Sequence, residues 1–243
     1  MAIDDHLAAA LRGLPAKPAD TVPAEQKKRY SELMSAAVAQ AFAAELRERG
    51  MKETRPAPPG VLDRSGAERR LAGGLGAKKV DVSWTTEEAG LIVAVSVKTI
   101  NFRDGKSGSF QKNLTNRRAD LLVEATTLHR RFPYAVIAAF FFLDKDAATD
   151  GTSRRRSTFL NAFPRFRIFS GRNDPAGRDE QFERLYFVLV DANPFTPTWH
   201  CYDAAGKGVE VPISRALDEI VELAAERNFD DYEADGSGGI QKI

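Results

Sequence analysis

Two short stretches decide the fold that this sequence predicts, KVDVSW at residues 79–84 and LIVAVSVKTI at residues 91–100. Both are rich in β-branched residues, which are typical of strands. The polar link TTEEAG between them is short, so the pattern predicts an antiparallel hairpin. Asp81 is unusual in this setting, because it lies between two valines of a predicted strand, where aspartate is rare.

The second predicted strand carries two polar side chains on one face. Side chains alternate along a strand, so Ser96 and Lys98 point to the same side. A hairpin centred on the two glutamates of the link sets Asp81 opposite Ala94, on the face of Ser96 and Lys98. A slip of one residue would turn Asp81 away, so the prediction of a shared pocket depends on this register.

The elements around this hairpin predict an α/β fold. Residues 24–49 lack Gly and Pro and are rich in Ala, Glu, Leu and Arg, which predicts one long helix. Residues 116–132 predict a second helix, and YAVIAAFFFL at residues 134–143 predicts a strand buried on both faces. Farther along the chain, we predict a strand at residues 185–190 and an amphipathic helix at residues 213–227.

We expect a single α/β domain with an addition at each end. The chain divides into a helix and Pro-rich linker at residues 1–23, the domain at residues 24–227, and an acidic flexible tail at residues 228–243. Before the hairpin, Ser65 and Glu68 form a capping-box pattern, which predicts a short helix that ends at residue 71.

Composition excludes several classes of protein. Of the 243 residues, 43% are hydrophobic and 28% are charged, which is typical of a soluble globular domain. The single cysteine, Cys201, allows no internal disulfide bond. The longest apolar run, residues 134–143, is half of the roughly 20 residues that a membrane span needs. Two aspartates near the N-terminus do not suit a secretory signal, so we expect a cytoplasmic protein without membrane contact.

Charge is balanced overall but unevenly distributed along the chain. There are 35 basic and 34 acidic residues, a net charge of +1. Residues 97–131 carry eight basic and three acidic side chains, and residues 151–178 carry seven arginines and one aspartate. Residues 209–235 carry nine acidic side chains and two arginines. Such segregation allows one basic face toward a polyanion, although charges scattered over a solvated surface explain the same counts.

A carboxylate and a lysine on one sheet face have a defined chemical use. Carboxylate oxygens bind hard cations such as Mg²⁺, and the cation polarises a phosphoryl oxygen and activates water. An ammonium group beside the cation can stabilise the charge of the transition state. The structural alternative is a strand-end lysine that extends over an edge and an aspartate in a turn.

The motif and the order of elements resemble the PD-(D/E)xK nuclease superfamily. The matching features are Asp81, the triplet Ser96, Val97 and Lys98, and the helix and strand after it, within residues 24–143. The resemblance implies a restriction-endonuclease-like fold, a mixed β-sheet flanked by helices. It implies that Asp81 binds Mg²⁺ or Mn²⁺, that the Val97 carbonyl is a further metal ligand, and that Lys98 is catalytic. It also implies an endonuclease that cuts DNA, of a bacterial restriction or defence type, acting as a homodimer.

The sequence departs from the family pattern at Ser96, where the family has an acidic residue. Serine is a poor Mg²⁺ ligand, so another carboxylate has to complete the site. Some restriction enzymes take it from the following helix, and here that residue is Glu124, which borders the apolar stripe of the helix. A solvated Glu124 paired with Arg131 is the alternative. Glu45 and Glu68 are weaker candidates, and no clear first strand precedes the hairpin.

Polar and basic side chains follow the lysine. Hydroxyl, amide and cationic groups are the donors that phosphate oxygens accept. We therefore predict that a first group of residues binds the nucleic-acid backbone: Thr99, Asn101, Arg103, Lys106, Lys112 and Arg117. A second group, Arg154, Arg155 and Arg156, could follow another stretch of backbone, although a solvated loop explains it as well.

Two other functions fit the same residues. One is a nucleic-acid-binding protein that kept the fold and lost catalysis, and Ser96 makes it credible. The other is an unrelated metabolic or structural α/β protein, which predicts Asp81 and Lys98 on opposite faces of the sheet.

Overall fold

A computed structural model describes residues 2–61, 69–206 and 208–243. The described chain forms the helices α1 (Ile3–Arg12), α2 (Ala24–Glu48), α3 (Lys112–His129), α4 (Thr158–Phe166) and α5 (Ile213–Arg227). Its strands are β1 (Arg69–Gly73), β2 (Gly76–Val80), β3 (Val82–Thr86), β4 (Gly90–Ile100), β5 (Val136–Asp144), β6 (Arg184–Asp191), β7 (Thr198–Asp203), β8 (Tyr232–Ala234) and β9 (Ile240–Lys242). Helices α1, α2 and α5 lie where the sequence predicted them.

The main sheet has the strand order β3-β4-β5-β6-β7. Its central strands β4, β5 and β6 are parallel, and β3 and β7 pair with the two edges antiparallel. Parallel neighbours need a crossover connection, and here α3 links β4 to β5 while α4 lies between β5 and β6. The predicted α/β class is confirmed at this level, as a mixed sheet flanked by helices.

The core covers both faces of the sheet, and β5 is at its centre. Residues 136–143 are all buried, which agrees with the prediction of a strand covered on both sides. On one face, Phe140 packs against Phe42 of α2, with 4.6 Å between the ring centroids. On the other face, Phe141 packs against Phe166 of α4, with 5.4 Å between the centroids. Each fully buried phenylalanine of this kind contributes about 1.5–3 kcal/mol to folding.

Helix α3 is displaced along the sequence relative to its predicted range. It runs over Lys112–His129 rather than residues 116–132. The earlier start has a packing reason, because Leu114 is fully buried and extends the apolar face of the helix toward the N-terminus. The helix does not reach residue 132, because the residue before Pro133 disfavours the helical conformation.

The segment before the hairpin is a strand rather than a helix. The sequence predicted a short helix ending at residue 71, but Arg69–Gly73 is β1, which pairs with β2 in a separate two-stranded sheet. No strand could be predicted here, because RRLAG contains no β-branched residue. Ser65 and Glu68, on which the helix prediction rested, lie outside the described residues.

The predicted strand at residues 79–84 is broken at Asp81, between β2 and β3. β3 pairs with β4, and Ser83 rather than Asp81 lies opposite Ala94. The predicted register is therefore wrong by two residues, because the turn lies farther along the chain and a bulge adds one more residue. A shift of two residues keeps each side chain on its face, so Asp81 remains on the face of Ser96.

The end of the chain has more structure than the predicted flexible acidic tail. Strands β8 and β9 form a hairpin within residues 228–243. Ile240 is buried, and its N–H donates to the carbonyl oxygen of Arg49, just after α2, at 2.8 Å. Asp235 accepts hydrogen bonds from the N–H groups of Ser237 and Gly239, so part of the acidic charge serves the turn of this hairpin.

Candidate active site

The site begins at Asp81, the residue that connects β2 of the two-stranded sheet to β3 of the five-stranded sheet. The first paired residue of β3 is Val82, which directly follows Asp81 and lies opposite Val95. Beyond that pair, the Asp81 side chain takes the place of a strand partner, and its Oδ2 accepts a hydrogen bond from the N–H of Val97 at 2.7 Å. The carboxylate is thereby fixed against the backbone of β4.

Lys98 brings the two predicted carboxylates together. Its Nζ lies 3.5 Å from Oδ2 of Asp81 and 3.1 Å from Oε2 of Glu124. Asp81 and Lys98 come from neighbouring extended segments, and Glu124 comes from α3, which packs on that face of the sheet. The expectation of an unrelated protein, Asp81 and Lys98 on opposite faces, is therefore not met.

Glu124 lies beneath the lysine and is only 1% exposed. It shares the buried side of α3 with Leu121, Ala125 and Leu128, which belong to the core on this face of the sheet. A second lysine, Lys78 of β2, lies 3.7 Å from Glu124 Oε2. The alternative of a solvated glutamate is therefore wrong, because the helix turns this residue toward the sheet.

The carboxylates set the charge state of Lys98. Burial acts to lower the pKa of Lys98, but the charges of Glu124 and Asp81 outweigh burial and raise the pKa above its ordinary value. Lys98 is therefore an ammonium ion at neutral pH, which can donate hydrogen bonds but cannot accept a proton.

Ser96 lies on the same face of β4 and is completely buried. Its Oγ has no hydrogen-bond partner among the residues that the structure describes. A buried hydroxyl without a partner usually costs folding free energy, so such groups are rare in native structures. The position where the family pattern has a carboxylate is thus occupied by a small polar group that takes no part in the ion pairs beside it.

A cleft of about 870 Å³ opens beside Asp81 and Lys98. Its walls are the loop after β4, the first turns of α3 and the N-terminal half of α2. Five of the predicted nucleic-acid-binding residues line it: Thr99, Asn101, Arg103, Lys112 and Arg117. Of the remaining four, Lys106 lies in the exposed turn of that loop, and Arg154, Arg155 and Arg156 belong to a separate loop before α4.

The lining residues divide into those bonded between buried walls and those held in ion pairs with acidic neighbours. Thr99 and Asn101 are buried and bond to serine hydroxyls of α2, each at 3.2 Å, so they join the walls together. Arg103 pairs with Asp146, with 3.3 Å between Nη2 and Oδ2. Lys112 is exposed and Arg117 is half-buried, and both form ion pairs on the same wall: Lys112 Nζ lies 2.8 Å from Asp104 Oδ2, and Arg117 Nη1 lies 3.4 Å from Asp120 Oδ2. Solvent-exposed ion pairs contribute little free energy, so a phosphate that enters the cleft can replace these carboxylates.

Helix α2 supplies a wall that the sequence did not predict. Lys27, Ser31 and Ser35 line the cleft, and so do Lys28 and Gln40. The first three are four residues apart, which places them on one face of a helix. This polar stripe on an alanine-rich helix was visible in the sequence, but only the fold shows that it faces the loop after β4.

The weaker acidic candidates do not join this site. Glu45 lies near the far end of α2, where its Oε1 accepts a hydrogen bond from Arg49 Nε at 2.7 Å. Glu68 falls outside the described residues. Glu124 is thus the second carboxylate that the described structure brings to Lys98.

Comparisons with models of protein families, with curated proteins and with solved structures found no match. Among the described helices, none is both long and apolar enough to cross a membrane. An assignment of function therefore rests on the geometry and chemistry of the cleft.

Proposed function

We propose that this protein is a Mg²⁺-dependent endonuclease that hydrolyses phosphodiester bonds of DNA. The observation that carries the proposal is the meeting of two carboxylates and one ammonium group, Asp81, Glu124 and Lys98, at the edge of a cleft that is lined by six basic and four acidic side chains. They come from three separate elements, and Asp81 lies at the break between β2 and β3. The resemblance to the PD-(D/E)xK superfamily adds support through the same three positions.

The donor set suits a hard divalent cation. Mg²⁺ takes oxygen ligands, and the carboxylates of Asp81 and Glu124 supply them. The N–H of Val97 faces Asp81, and both backbone groups of a strand residue face the same neighbour, so the Val97 carbonyl is a third candidate ligand. When bound, the cation would neutralise phosphate charge and lower the pKa of a water molecule. The positive charge of Lys98 offsets the repulsion between the carboxylates of Asp81 and Glu124. A divalent cation bound by both carboxylates would offset the same repulsion.

The residues of the chain have clear tasks in this proposal. The ammonium group of Lys98 donates hydrogen bonds to the phosphate or to the attacking water and stabilises negative charge as it develops. Arg117 and Lys112 hold the DNA backbone on the α3 side of the cleft, and Lys27 and Lys28 hold it on the α2 side. Two strands need two centres, so we propose that the active form is a homodimer.

The test is a cleavage assay on plasmid DNA and on oligonucleotides, with Mg²⁺, with Mn²⁺ and with EDTA. We expect metal-dependent cutting that falls by a factor of about 10²–10³ in Lys98→Ala, the usual effect of removing a group that stabilises transition-state charge. Lys242→Ala is the matched control, because Lys242 lies in β9 and pairs with Glu88. Equal cutting by the two variants, or cutting that EDTA does not stop, would overturn the proposal.

A nucleic-acid-binding protein without catalysis is the second candidate, and Ser96 is the observation that favours it. With Ser96 buried and unpaired, the site lacks one carboxylate of the family pattern. This candidate predicts salt-dependent binding of DNA with no cutting in either metal. Binding that persists in EDTA, together with intact plasmid after long incubation, would select it over the nuclease.

A further inference from the structure

A second group of titratable side chains lies away from the cleft, between the first two helices. His6 of α1 faces Glu45 and Glu48, which are three residues apart on α2 and so share one face. Nε2 of His6 lies 3.2 Å from Oε1 of Glu48 and 3.9 Å from Oε2 of Glu45. The three ligand atoms all lie within 4.8 Å of one another.

Two of these atoms are buried without a hydrogen bond. Glu45 is 5% exposed, and its Oε2 has no hydrogen-bond partner among the described residues. Nε2 of His6 is also buried, and its contact with Glu48 at 3.2 Å does not have the geometry of a hydrogen bond. A buried carboxylate oxygen left without a partner costs folding free energy, so native structures rarely keep one. The unpaired oxygen points at the imidazole across a gap that is too wide for a hydrogen bond.

We infer that His6, Glu45 and Glu48 bind one Zn²⁺ ion. Ligand atoms about 2.0–2.2 Å from a tetrahedral zinc lie roughly 3.4 Å apart, and the two distances from His6 Nε2 fall on either side of that value. One imidazole and two carboxylates suit zinc better than Mg²⁺, which prefers oxygen ligands alone. The side chain of Glu48 is 44% exposed, which gives an ion a path from solvent.

The surroundings have the features of a metal site. A ligating carboxylate is usually hydrogen-bonded through its other oxygen, which orients it. Here Arg49 Nε donates to Glu45 Oε1 at 2.7 Å, and Arg49 Nη1 is held in turn by Asp218 of α5 at 2.7 Å. Zinc would join α1 to α2, and because it would bind only the folded chain, it would stabilise that packing by mass action.

The experiment is a titration of the full, EDTA-stripped chain with ZnCl₂, followed by calorimetry and by thermal unfolding. We expect one high-affinity zinc per chain and a zinc-dependent rise in Tm, with affinity falling more than tenfold in His6→Ala and in Glu48→Gln. Glu48 is partly exposed, so its variant tests the site even if His6→Ala folds poorly.

Two controls separate this site from others. His200→Ala removes a histidine whose Nδ1 lies 2.7 Å from Glu210 Oε1 and which belongs to no three-residue metal-ligand group among the described residues. Asp81→Asn removes a carboxylate of the cleft. Both variants should keep the zinc affinity of the parent chain. Equal affinity in Glu48→Gln and His200→Ala, loss of zinc in Asp81→Asn, or no stoichiometric binding would overturn the inference, whatever the result of the cleavage assay.

Discussion

Helix α3 takes part in two charged clusters, and they differ in their access to the cleft. In the middle of the helix, Glu124 meets Lys98 and Asp81 at the edge of the cleft. At its last residue, His129 meets Glu183 in the interior. Both clusters have a buried glutamate at the centre, but only the first opens to a cavity that a ligand can enter.

The interior cluster is closed and fully bonded around Glu183. Its Oε1 accepts hydrogen bonds from Arg172 and Arg227, at 3.0 and 2.7 Å. Its Oε2 lies 3.1 Å from the His129 ring nitrogen and accepts from the N–H of Ile137 at 2.7 Å. Both carboxylate oxygens are therefore satisfied by protein groups, and the cluster ties α3, β5 and α5 together.

A buried charge can serve a ligand only when its partners reach solvent. Glu183 and Arg172 are shielded from water, so their charges serve the packing of the fold. Lys98 and Asp81 line the cleft, and their charges can change partners when a ligand arrives. The molecule therefore has a structural cluster around Glu183 and a cluster around Lys98 that is open to a ligand, and this division can be tested.

The largest expected effect is on stability, from the same substitution made in each cluster. Glu183→Gln leaves two buried guanidinium groups without their counter-charge, so we expect a loss of about 3–5 kcal/mol in the free energy of unfolding. Glu124→Gln leaves Lys98 paired with Asp81, so the expected loss is about 1.5–3 kcal/mol. Urea denaturation measures both values. A larger loss in Glu124→Gln than in Glu183→Gln would contradict the division.

The clusters should weaken at opposite ends of the pH scale. Burial acts to raise the pKa of Glu183, but His129 and Arg227 outweigh it and hold the pKa below its ordinary 4.5. Its stabilisation is therefore present above pH 4.5 and is lost as the pH falls through the lower, folded value. The raised pKa of Lys98 works in reverse, because its contribution is complete below its ordinary 10.5 and is lost as the pH rises through the higher, folded value.

Unfolding measured across pH in two variants separates these contributions. Glu183→Gln should flatten the acid side of the stability profile, and Lys98→Met should flatten the alkaline side. Lys242→Met is the control for the alkaline measurement, because Lys242 is exposed in β9. A Lys98→Met profile as steep in alkali as that of Lys242→Met would show that the carboxylates do not hold the lysine charged.

The smallest effect concerns the rim of the cleft. If the cleft binds DNA, Arg117→Gln should make the plot of log affinity against log salt shallower by about 0.9, the value of one lost phosphate contact on duplex DNA. Arg154→Gln should leave the slope unchanged, because Arg154 does not line the cleft. Filter binding at several salt concentrations measures the slopes. A shallower slope in Arg154→Gln and an unchanged slope in Arg117→Gln would place the DNA contacts on the loop before α4 instead.

The site residues could be predicted because their signal is local. The sequence shows two anomalies directly: Asp81 inside a predicted valine-rich strand, and Lys98 two residues from Ser96. The predicted register was wrong by two residues, but a shift of two leaves each side chain on its predicted face. Strand β1 could not be predicted, because its sequence lacks residues that favour strands. Its extended conformation comes from the backbone pairing with β2. The α2 wall and the zinc cluster also depend on contacts between distant segments, which no local pattern encodes.

The burial of β5 on both faces has a consequence for the unfolded chain. VIAAFFF, at residues 136–142, has no charge and no proline, the composition of segments that associate into intermolecular β-structure. Its parallel neighbours β4 and β6 are distant in sequence, and pairing of distant segments is slow because a long loop has to close first. We therefore expect β5 to remain exposed until late in folding. Charged residues flank it on both sides, Arg130 and Arg131 before it and Asp144 and Lys145 after it, and they oppose aggregation. Recovery of the recombinant chain should therefore be limited by self-association of nascent molecules rather than by weakness of the native state.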